Sequence, residues 1–308
     1  TGTGLYVAPS TTINGPIVLK NNVVTGGAIT ATPTGICYEG NTVDGVVFPE
    51  TSSATPNVPD PGAPYTITDD EHGGDCWHIG TWNAGTKTCT ITEDITASSS
   101  DGIIIGSNGI TLEGSTDTQI QGVTTNYSFS GIVVDGKSNI TLRDFNLKDF
   151  KYGIMAKNAE TLVIQDVTSD GQSQYVVWLH VNNSNNVILE NLNFSSNNRC
   201  YGTTYGCESE FFITNTDNVV IRDSYSGTIK IGNSHNVELS NVHVGGGHPN
   251  YGFGMISIAD RSSNVNVHDS RFAKLNTAGG NFGITYSEDG GSSSGAVGTG
   301  IIIKDNEI

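Results

Sequence analysis

A single aspartate lies in a short polar motif directly before an apolar run, where its carboxyl group could act as a general acid or base. Asp217 is the third residue of Asn215-Thr216-Asp217, at the start of NTDNVVIRDS. Carboxyl groups of this kind hydrolyse glycosidic bonds in pairs, one acting as general acid and the other as base or nucleophile. A second carboxyl must therefore lie close to Asp217, but the next apolar segment, TIKIGNSHN (228–236), contains neither Asp nor Glu.

The NTD motif resembles the opening motif of the polygalacturonase-type glycoside hydrolases, in which the Asp is catalytic. GGGH (245–248) resembles a second element of that family. The family's later Arg-Ile-Lys motif is missing, because Thr228 stands where its Arg is expected, before Ile229 and Lys230. The resemblance is thus confined to two short motifs. We predict no catalytic residue, and we interpret Asp217 as part of a turn.

Basic side chains suggest a second chemistry, β-elimination from a uronate, which needs a Lys or Arg base and often Ca²⁺. Arg143, Arg222 and Lys304 share the fifth position of three repeat segments described below. Other segments place Glu, Gln, Ser or His at that position. We therefore interpret this position as a solvated face rather than as a catalytic column.

Acidic side chains provide candidate cation ligands. Four carboxylates lie close together in TDDEHGGDCWH (68–78), and they are Asp69, Asp70, Glu71 and Asp75. Their spacing matches no known ligand pattern, and an acidic surface loop is the alternative. Most repeat segments also end in Asp or Asn, which would allow a Ca²⁺ ladder, although Asx residues are typical of turns. We predict no cofactor, and Ca²⁺ is the one ion that the pattern allows.

Cysteines and sequons favour an oxidising, extracellular setting, where disulfides persist. We predict two local disulfides, Cys76–Cys89 and Cys200–Cys207, which leave Cys37 without a local partner. Four Asn-X-Ser/Thr sequons mark candidate N-glycosylation sites. They begin at Asn126, Asn139, Asn182 and Asn193.

The charge of the chain excludes one large class of partner. Fourteen Lys and Arg residues against 31 Asp and Glu give a net charge of −17, which argues against nucleic-acid binding and favours solubility. No run of about 18 apolar residues occurs, so we predict no membrane span.

A strand-like segment recurs through the last two thirds of the chain, with apolar residues at its second and fourth positions and a polar residue at its fifth. The segments are GITLEG (109–114), NITLRD (139–144), TLVIQD (161–166), NVILEN (186–191), NVVIRD (218–223), NVELSN (236–241), NVNVHD (264–269) and GIIIKD (300–305). A second short strand precedes most segments, and a third follows several of them. The fourth positions should therefore stack as one buried column.

Three short strands per irregular turn of 20–30 residues are typical of a right-handed parallel β-helix. The chain resembles proteins of that all-β fold over residues 100–308. The fold serves pectate lyases, polygalacturonases, alginate lyases, phage tailspikes, adhesins and surface-layer or filament proteins, so it does not by itself choose a function.

The N-terminal third differs, because eight of the nine prolines lie within the first 64 residues and Pro is poorly tolerated in central strands. We predict an irregular Pro-rich region at 1–65, forming a cap, a small β subdomain or an arm. A disulfide-bearing entry segment follows at 66–100, and the β-helix occupies 101–308.

As a loose class, the chain resembles structural β-helix proteins of cell surfaces. We predict an extracellular subunit of a filament, sheath or surface layer, or an adhesin stalk, whose partners are copies of itself or other surface proteins. The last repeat runs into DNEI (305–308) without a polar cap, so we expect either that the parent protein continues or that another molecule covers that end.

The alternative is a polysaccharide-active enzyme, either a pectate- or alginate-type lyase or a polygalacturonase-like hydrolase, or a polysaccharide-binding protein. Aromatic residues of the loops would then serve as sugar platforms. The candidates are Tyr175, Trp178, Tyr201, Tyr205, Tyr251 and Phe253.

Overall fold

The structure is a computed structural model, described over a defined set of residues. These are 5–6, 17–20, 23–24, 29–30, 36–39, 41–43, 46–48, 62–115, 117–123, 129–169, 177–194, 211–245, 254–259, 261–273, 282–287 and 300–307. Contacts between residues divide the chain into two compact units, Thr1–Pro61 and Gly62–Ile308.

The first unit pairs its short strands in a repeating order. Its described strands are β1 (Leu5–Tyr6), β2 (Ile17–Lys20), β3 (Val23–Val24), β4 (Ile29–Thr30), β5 (Ile36–Glu39), β6 (Asn41–Val43) and β7 (Val46–Phe48). The first three pair in parallel with the next three, β1 with β4, β2 with β5 and β3 with β6, while β7 pairs antiparallel with β6. This order describes two turns of a small parallel coil.

The second unit begins with a short helix among its first strands. These elements are β8 (Tyr65–Ile67), α1 (Cys76–Ile79), β9 (Gly80–Asn83), β10 (Thr88–Ile91), β11 (Ile95–Thr96), β12 (Ile103–Ile105), β13 (Thr111–Glu113), β14 (Gln119–Gln121), β15 (Ser130–Asp135), β16 (Ser138–Lys148), β17 (Tyr152–Lys157) and β18 (Glu160–Ser169).

The remaining described strands continue the same three-strand rhythm. They are β19 (Val177–Asn182), β20 (Asn185–Glu190), β21 (Asn193–Phe194), β22 (Phe211–Thr214), β23 (Asp217–Arg222), β24 (Tyr225–Ser226), β25 (Thr228–Gly232), β26 (His235–Ser240), β27 (His243–Gly245), β28 (Gly254–Ala259), β29 (Ser263–His268), β30 (Arg271–Ala273), β31 (Phe282–Ser287) and β32 (Ile302–Lys304).

In the described residues, these strands form two large sheets around one core. The nine-strand sheet runs β8-β12-β15-β17-β19-β22-β25-β28-β31, and all its strands are parallel. The sixteen-strand sheet carries the other two strands of each turn. One turn of this coil is called a rung below. At about 4.8 Å between strands, the nine-strand sheet is roughly 38 Å long along the stack.

The predicted buried column is confirmed in register. From Leu112 to Ile303, each fourth-position residue is the direct partner of the next one along the chain. Its members from Leu112 to Val267 are fully buried, because strand alternation turns every second side chain inward. Ile303 and its neighbour Ile302 in β32 are about half exposed, at 50% and 53%.

The start of the second unit interrupts the parallel pairing. Strand β9 pairs antiparallel with β10, which in turn pairs in parallel with β13. A disulfide joins Cys76 of α1 to Cys89 of β10, with the two Cα atoms 5.7 Å apart. This is the first of the two disulfides that the sequence predicts.

Candidate functional site

The structure places Asp217 beside two other residues that could do chemistry. Asp217, His235 and Ser263 begin β23, β26 and β29, and they are partners in register on three consecutive rungs. His235 Nδ1 lies 2.7 Å from Ser263 Oγ, within hydrogen-bond distance. A Ser, a His and an Asp therefore meet on one half-buried outer column.

The bonding of this trio differs from that of a nucleophilic triad. In a triad the carboxylate accepts a hydrogen bond from the imidazole and orients it toward the serine. Here Asp217 Oδ1 instead accepts the backbone N–H of His235 at 3.0 Å. The carboxylate thus holds the backbone of the next rung, and the imidazole links His235 to Ser263 on the rung after it. The geometry describes a chain of links between rungs.

One residue before this column, a buried row of hydroxyl groups joins the same rungs. The backbone N–H of Ser184 donates to Thr216 Oγ1 at 3.4 Å, and the N–H of Thr216 donates to Ser234 Oγ at 3.2 Å. The N–H of Ser234 donates to Ser262 Oγ at 3.3 Å. These side chains are at most 7% exposed. We call this row, Ser184, Thr216, Ser234 and Ser262, the hydroxyl ladder.

Two hydroxyls in the middle of the ladder also donate within their own rungs. Thr216 Oγ1 donates to the carbonyl of Thr214 at 2.8 Å, and Ser234 Oγ donates to that of Gly232 at 2.9 Å. One hydroxyl therefore satisfies both a carbonyl of its own turn and an N–H of the preceding rung. Buried backbone groups need such partners, since leaving one unpaired costs free energy.

Sequence reasoning missed the hydroxyl ladder. We interpreted Asp217 as part of a turn and assigned no role of its own to Thr216. A signal was present, because the position of Thr216 carries a hydroxyl residue in each of the rungs from Ser184 to Ser262. A second, shorter case lies where Ser224 and Ser270 accept the N–H groups of Leu192 and Val242, both at 3.1 Å.

One residue after the Asp217 column, an exposed row of side-chain amides links rungs from outside. Asn264 Nδ2 donates to Asn236 Oδ1 at 3.0 Å, and Asn236 Nδ2 donates to Asn218 Oδ1 at 3.0 Å. Asn218 and Asn186 donate in turn to side chains of the rungs before them. We call this row, Asn186, Asn218, Asn236 and Asn264, the amide ladder.

Left-handed backbone explains why Asn fills these positions, each the second residue of its strand. The amide-ladder residues have φ between +53° and +56°, a region that Asn and Asp tolerate better than most residues. The Asp and Asn residues that end the repeat segments also have positive φ, in agreement with their interpretation as a turn column, although two of them, Asp144 and Asp166, lie within β16 and β18. The residues of this column are Asp144, Asp166, Asn191, Asp223, Asn241, Asp269 and Asp305.

The fifth-position column is a row of partly exposed ion pairs between rungs. Arg143 pairs with Glu113, and Arg222 Nη2 lies 3.0 Å from Glu190 Oε2. A hydrogen bond from Thr90, together with Arg143, holds the pKa of Glu113 below its usual value despite partial burial. These basic residues were interpreted as a solvated face, and at this column Arg143 and Arg222 pair with carboxylates of the neighbouring rung.

His268 continues that column as a titratable link. Its Nδ1 lies 2.7 Å from Asp269 Oδ2, and its Nε2 lies 3.3 Å from Glu238 Oε1. The hydrogen bond to Asp269, with that to Glu238, raises the pKa of His268 even though burial opposes the charge. His268 therefore bonds to two carboxylates, one on its own rung and one on the rung before.

The candidate cation ligands are engaged locally. Asp70 Oδ1 accepts the N–H groups of His72 and Gly74 at 3.0 and 2.8 Å. Burial alone would raise the pKa of Asp70, but these bonds and one from the Thr68 hydroxyl outweigh it and lower the pKa. The carboxylate thus organises the turn that it belongs to.

The other three acidic residues have separate surroundings. Asp69 Oδ2 accepts from Lys87 Nζ at 2.5 Å, and Asp75 Oδ2 accepts the N–H of Thr66 at 2.7 Å. Glu71 lies beside His72. Among the residues that the structure describes, no three His, Cys, Asp or Glu side chains converge as a metal site would require. A role for Ca²⁺ stays a prediction.

Several predicted positions lie outside the described residues. These are Cys200, Cys207, Asn126, Tyr175, Tyr201, Tyr205, Tyr251 and Phe253. Trp178 belongs to β19, but its side chain is also outside the described part. The second disulfide and the sugar platforms therefore stay predictions.

Comparison with known proteins identifies the fold. Residues 77–220 match the family model described as a right handed beta helix region. With the parallel sheets, this match confirms the prediction of an all-β, right-handed parallel β-helix. Searches of curated proteins and of solved structures each found no match. Across the described residues, no helix has both the length and the apolar character needed to span a membrane.

Proposed function

We propose that this right-handed parallel β-helix is a structural protein of a cell surface: a subunit of a filament, sheath or surface layer, or the stalk of an adhesin. One observation carries the proposal. On the outside of the stack, successive rungs use their polar side chains to bond one another, in the amide ladder, the ion-pair column and the links through Asp217 and His235.

Such bonding suits a rod that must keep its shape. Each rung of a repeat protein contacts chiefly its neighbours, so bonds between rungs set the stiffness of the whole stack. The hydroxyl ladder adds buried links at the same turns. Side chains that are already bonded to a neighbouring rung are less available to contact a substrate, which favours a structural role.

The disulfide supports an extracellular site. Disulfides persist in oxidising compartments and are rare in the reducing cytosol. Cys76–Cys89 ties the short helix to the first parallel strand of its sheet. The net charge of −17 is compatible with a solvated surface.

Electron microscopy of the purified full-length chain in negative stain tests the assembly. We expect regular polymers at neutral pH, and immunolabelling of intact source cells should place the protein outside. On non-reducing gels, Cys37→Ser should remove any cross-linked dimer while Cys76→Ser with Cys89→Ser should keep it. A monodisperse monomer confined to the cell interior would contradict the proposal.

A panel of uronate polysaccharides, including polygalacturonate and alginate, tests the enzymatic alternative in the same preparation. Asp217→Asn is the informative variant, because an amide oxygen can still accept the His235 N–H while the carboxylate is gone. We expect no turnover by either protein. Turnover by a monomer that Asp217→Asn abolishes would replace the structural proposal with a hydrolase.

A further inference from the structure

We infer that Asn139 is the attachment site of an N-linked glycan and that the fold closes the sequon at Asn182. The inference rests on the proposed surface location, because such glycans are carried by exported chains. It goes beyond that location by selecting one acceptor among sequons that look equivalent in sequence.

The chemistry sets two requirements on the acceptor. The side-chain nitrogen of Asn forms a bond to C1 of the first sugar of a lipid-linked oligosaccharide. The C1–O bond to the lipid pyrophosphate breaks, the lipid pyrophosphate leaves, and the amide loses one proton. The transferase must therefore reach both the Asn amide and the hydroxyl two residues later.

The sequon Asn139-Ile140-Thr141 meets both requirements. Asn139 is exposed at the second residue of β16, with φ +56°. Ile140 is 1% exposed, so the core anchors the motif between two outward residues. Thr141 lies half-buried on the outer face of β16. To other residues in the described part of the chain, neither Asn139 nor Thr141 makes a side-chain hydrogen bond.

The neighbours of Asn139 explain why its amide is open. Asn139 occupies the same strand position as the amide ladder, but Gly109 lies on the rung before it and Thr161 on the rung after it. Gly109 has no side chain to offer, and Thr161 has no amide. By contrast, Asn218 Nδ2 donates to Asn185 Oδ1 at 2.8 Å.

Both key residues of the sequon at Asn182 are engaged in hydrogen bonds, the Asn through its amide oxygen. Asn182 Oδ1 accepts from Thr214 Oγ1 at 3.1 Å and from Asn215 Nδ2 at 3.0 Å. Ser184, the hydroxyl residue of the sequon, is 7% exposed and belongs to the hydroxyl ladder. Its Oγ accepts the N–H of Ala159 and donates to the carbonyl of Asn182, both at 3.0 Å. Once this turn has formed, its hydroxyl is beyond reach.

The other two sequons do not enter the comparison. Asn193 is exposed in β21, but its hydroxyl residue, Ser195, lies outside the described residues, as does Asn126. The inference is therefore confined to Asn139 and Asn182.

Glycan mapping on secreted protein tests the inference. The full chain is exported through a supplied signal peptide from cultured eukaryotic cells that add N-linked glycans. Secreted protein is treated with a peptide glycosidase in heavy-oxygen water, and the labelled Asp residues are located by mass spectrometry. We expect most molecules to carry a glycan at Asn139 and few or none at Asn182. Asn139→Gln should remove that label.

Val220→Thr provides the matched control. It completes a sequon that begins at Asn218, at the same strand position and with the same spacing, but with an amide tied to Asn185. We expect occupancy at Asn218 in secreted protein to be several-fold lower than at Asn139. Equal occupancy at both would show that the ladder does not select the acceptor and would overturn the argument.

An empty Asn139, or a filled Asn182 in folded protein, would also overturn the inference. The supplied signal peptide makes this test independent of where the source cell places the chain. If immunolabelling finds the protein inside its own cell while Asn139 is filled in this test, the proposed function fails and the acceptor assignment stands.

Discussion

The hydroxyl ladder and the amide ladder link the same rungs at the same turn, two residues apart, and differ in their surroundings. Thr216, Ser234 and Ser262 are fully buried and bond backbone groups of the preceding rung. Asn218, Asn236 and Asn264 are exposed and bond side chains. Solvent can replace a lost partner in the second row and cannot do so in the first.

This difference teaches which links stabilise the coil. A buried N–H that loses its acceptor stays unsatisfied, at a cost of about 1–3 kcal/mol. An exposed amide that loses its partner turns to water, so the same kind of bond contributes little. The exposed row owes its residue type to the left-handed turn instead, since a φ between +53° and +56° disfavours most side chains.

Ser234→Ala tests the buried row and should have the largest effect. It removes the acceptor of the Thr216 N–H and the donor to the Gly232 carbonyl. We expect the free energy of unfolding to fall by about 1–3 kcal/mol. Guanidinium denaturation would measure it, with faster hydrogen exchange at the Thr216 amide as a local reading. An unchanged midpoint and unchanged exchange would show that the ladder contributes nothing.

Two substitutions at Asn236 separate the effect of its left-handed backbone from the effect of its side-chain hydrogen bonds in the exposed row. Asn236→Val places a β-branched residue at φ +56°, which should cost roughly 1–2 kcal/mol. Asn236→Gly permits that φ while removing the amide, so the change should stay within about 0.5 kcal/mol. Matched denaturation curves would measure both. If Gly were as harmful as Val, the amide bonds rather than the turn would hold this row.

His268 makes one exposed link dependent on pH. Its pKa is raised in the fold, so its stabilising contribution is fully present below the unfolded pKa of about 6.5 and is lost as pH rises through the folded pKa. We expect wild type to exceed His268→Gln in midpoint in mildly acidic solution and to match it in alkaline solution. His268 faces Glu238, Asp269 and the register partner Lys304, so all three should be kept.

His180, on the nine-strand sheet, provides a control for which the pH dependence of stability should have the opposite sign. Burial, with Lys157 nearby, lowers its pKa, so folding favours the neutral ring. The stability associated with that neutral ring is present above the unfolded pKa and declines as pH falls below it. The stability of wild type relative to His180→Gln should therefore increase as the pH rises, whereas its stability relative to His268→Gln should decrease. The same direction for both variants would contradict these assignments.

Arg222→Gln should have the smallest effect, because Arg222 is exposed and its partner Glu190 is only half-buried. Exposed ion pairs are weak and screened by salt. We expect a barely measurable shift of the midpoint at low ionic strength that vanishes in molar salt. A shift that persists in salt would mean that this pair acts like a buried link.

The repeat pattern was enough to predict the coil and its buried column, because strand alternation and stacking follow from residue type. The fourth-position residues from Leu112 to Ile303 pair as expected. The Asx column was predictable for the same reason, since few residues tolerate its backbone. What the pattern did not show was the hydroxyl ladder, whose bonds join residues 18 to 32 positions apart.

The role of Asp217 also lay beyond the sequence. Its motif resembled a hydrolase motif, and the missing second carboxyl favoured a turn, but the sequence did not show what the carboxylate bonds. The structure shows which group the carboxylate accepts, the backbone N–H of His235, and that contact depends on the register of two strands.

The sequence by itself determined the fold class, the order of the strands and the turns where Asn and Asp recur. These properties depend on local patterns that each rung repeats. Only the tertiary structure decided which polar side chains are buried links, which are exposed links and which, like Asn139, are left open. That outcome depends on what the neighbouring rung places opposite each side chain, and the lengths of the intervening loops set the neighbour.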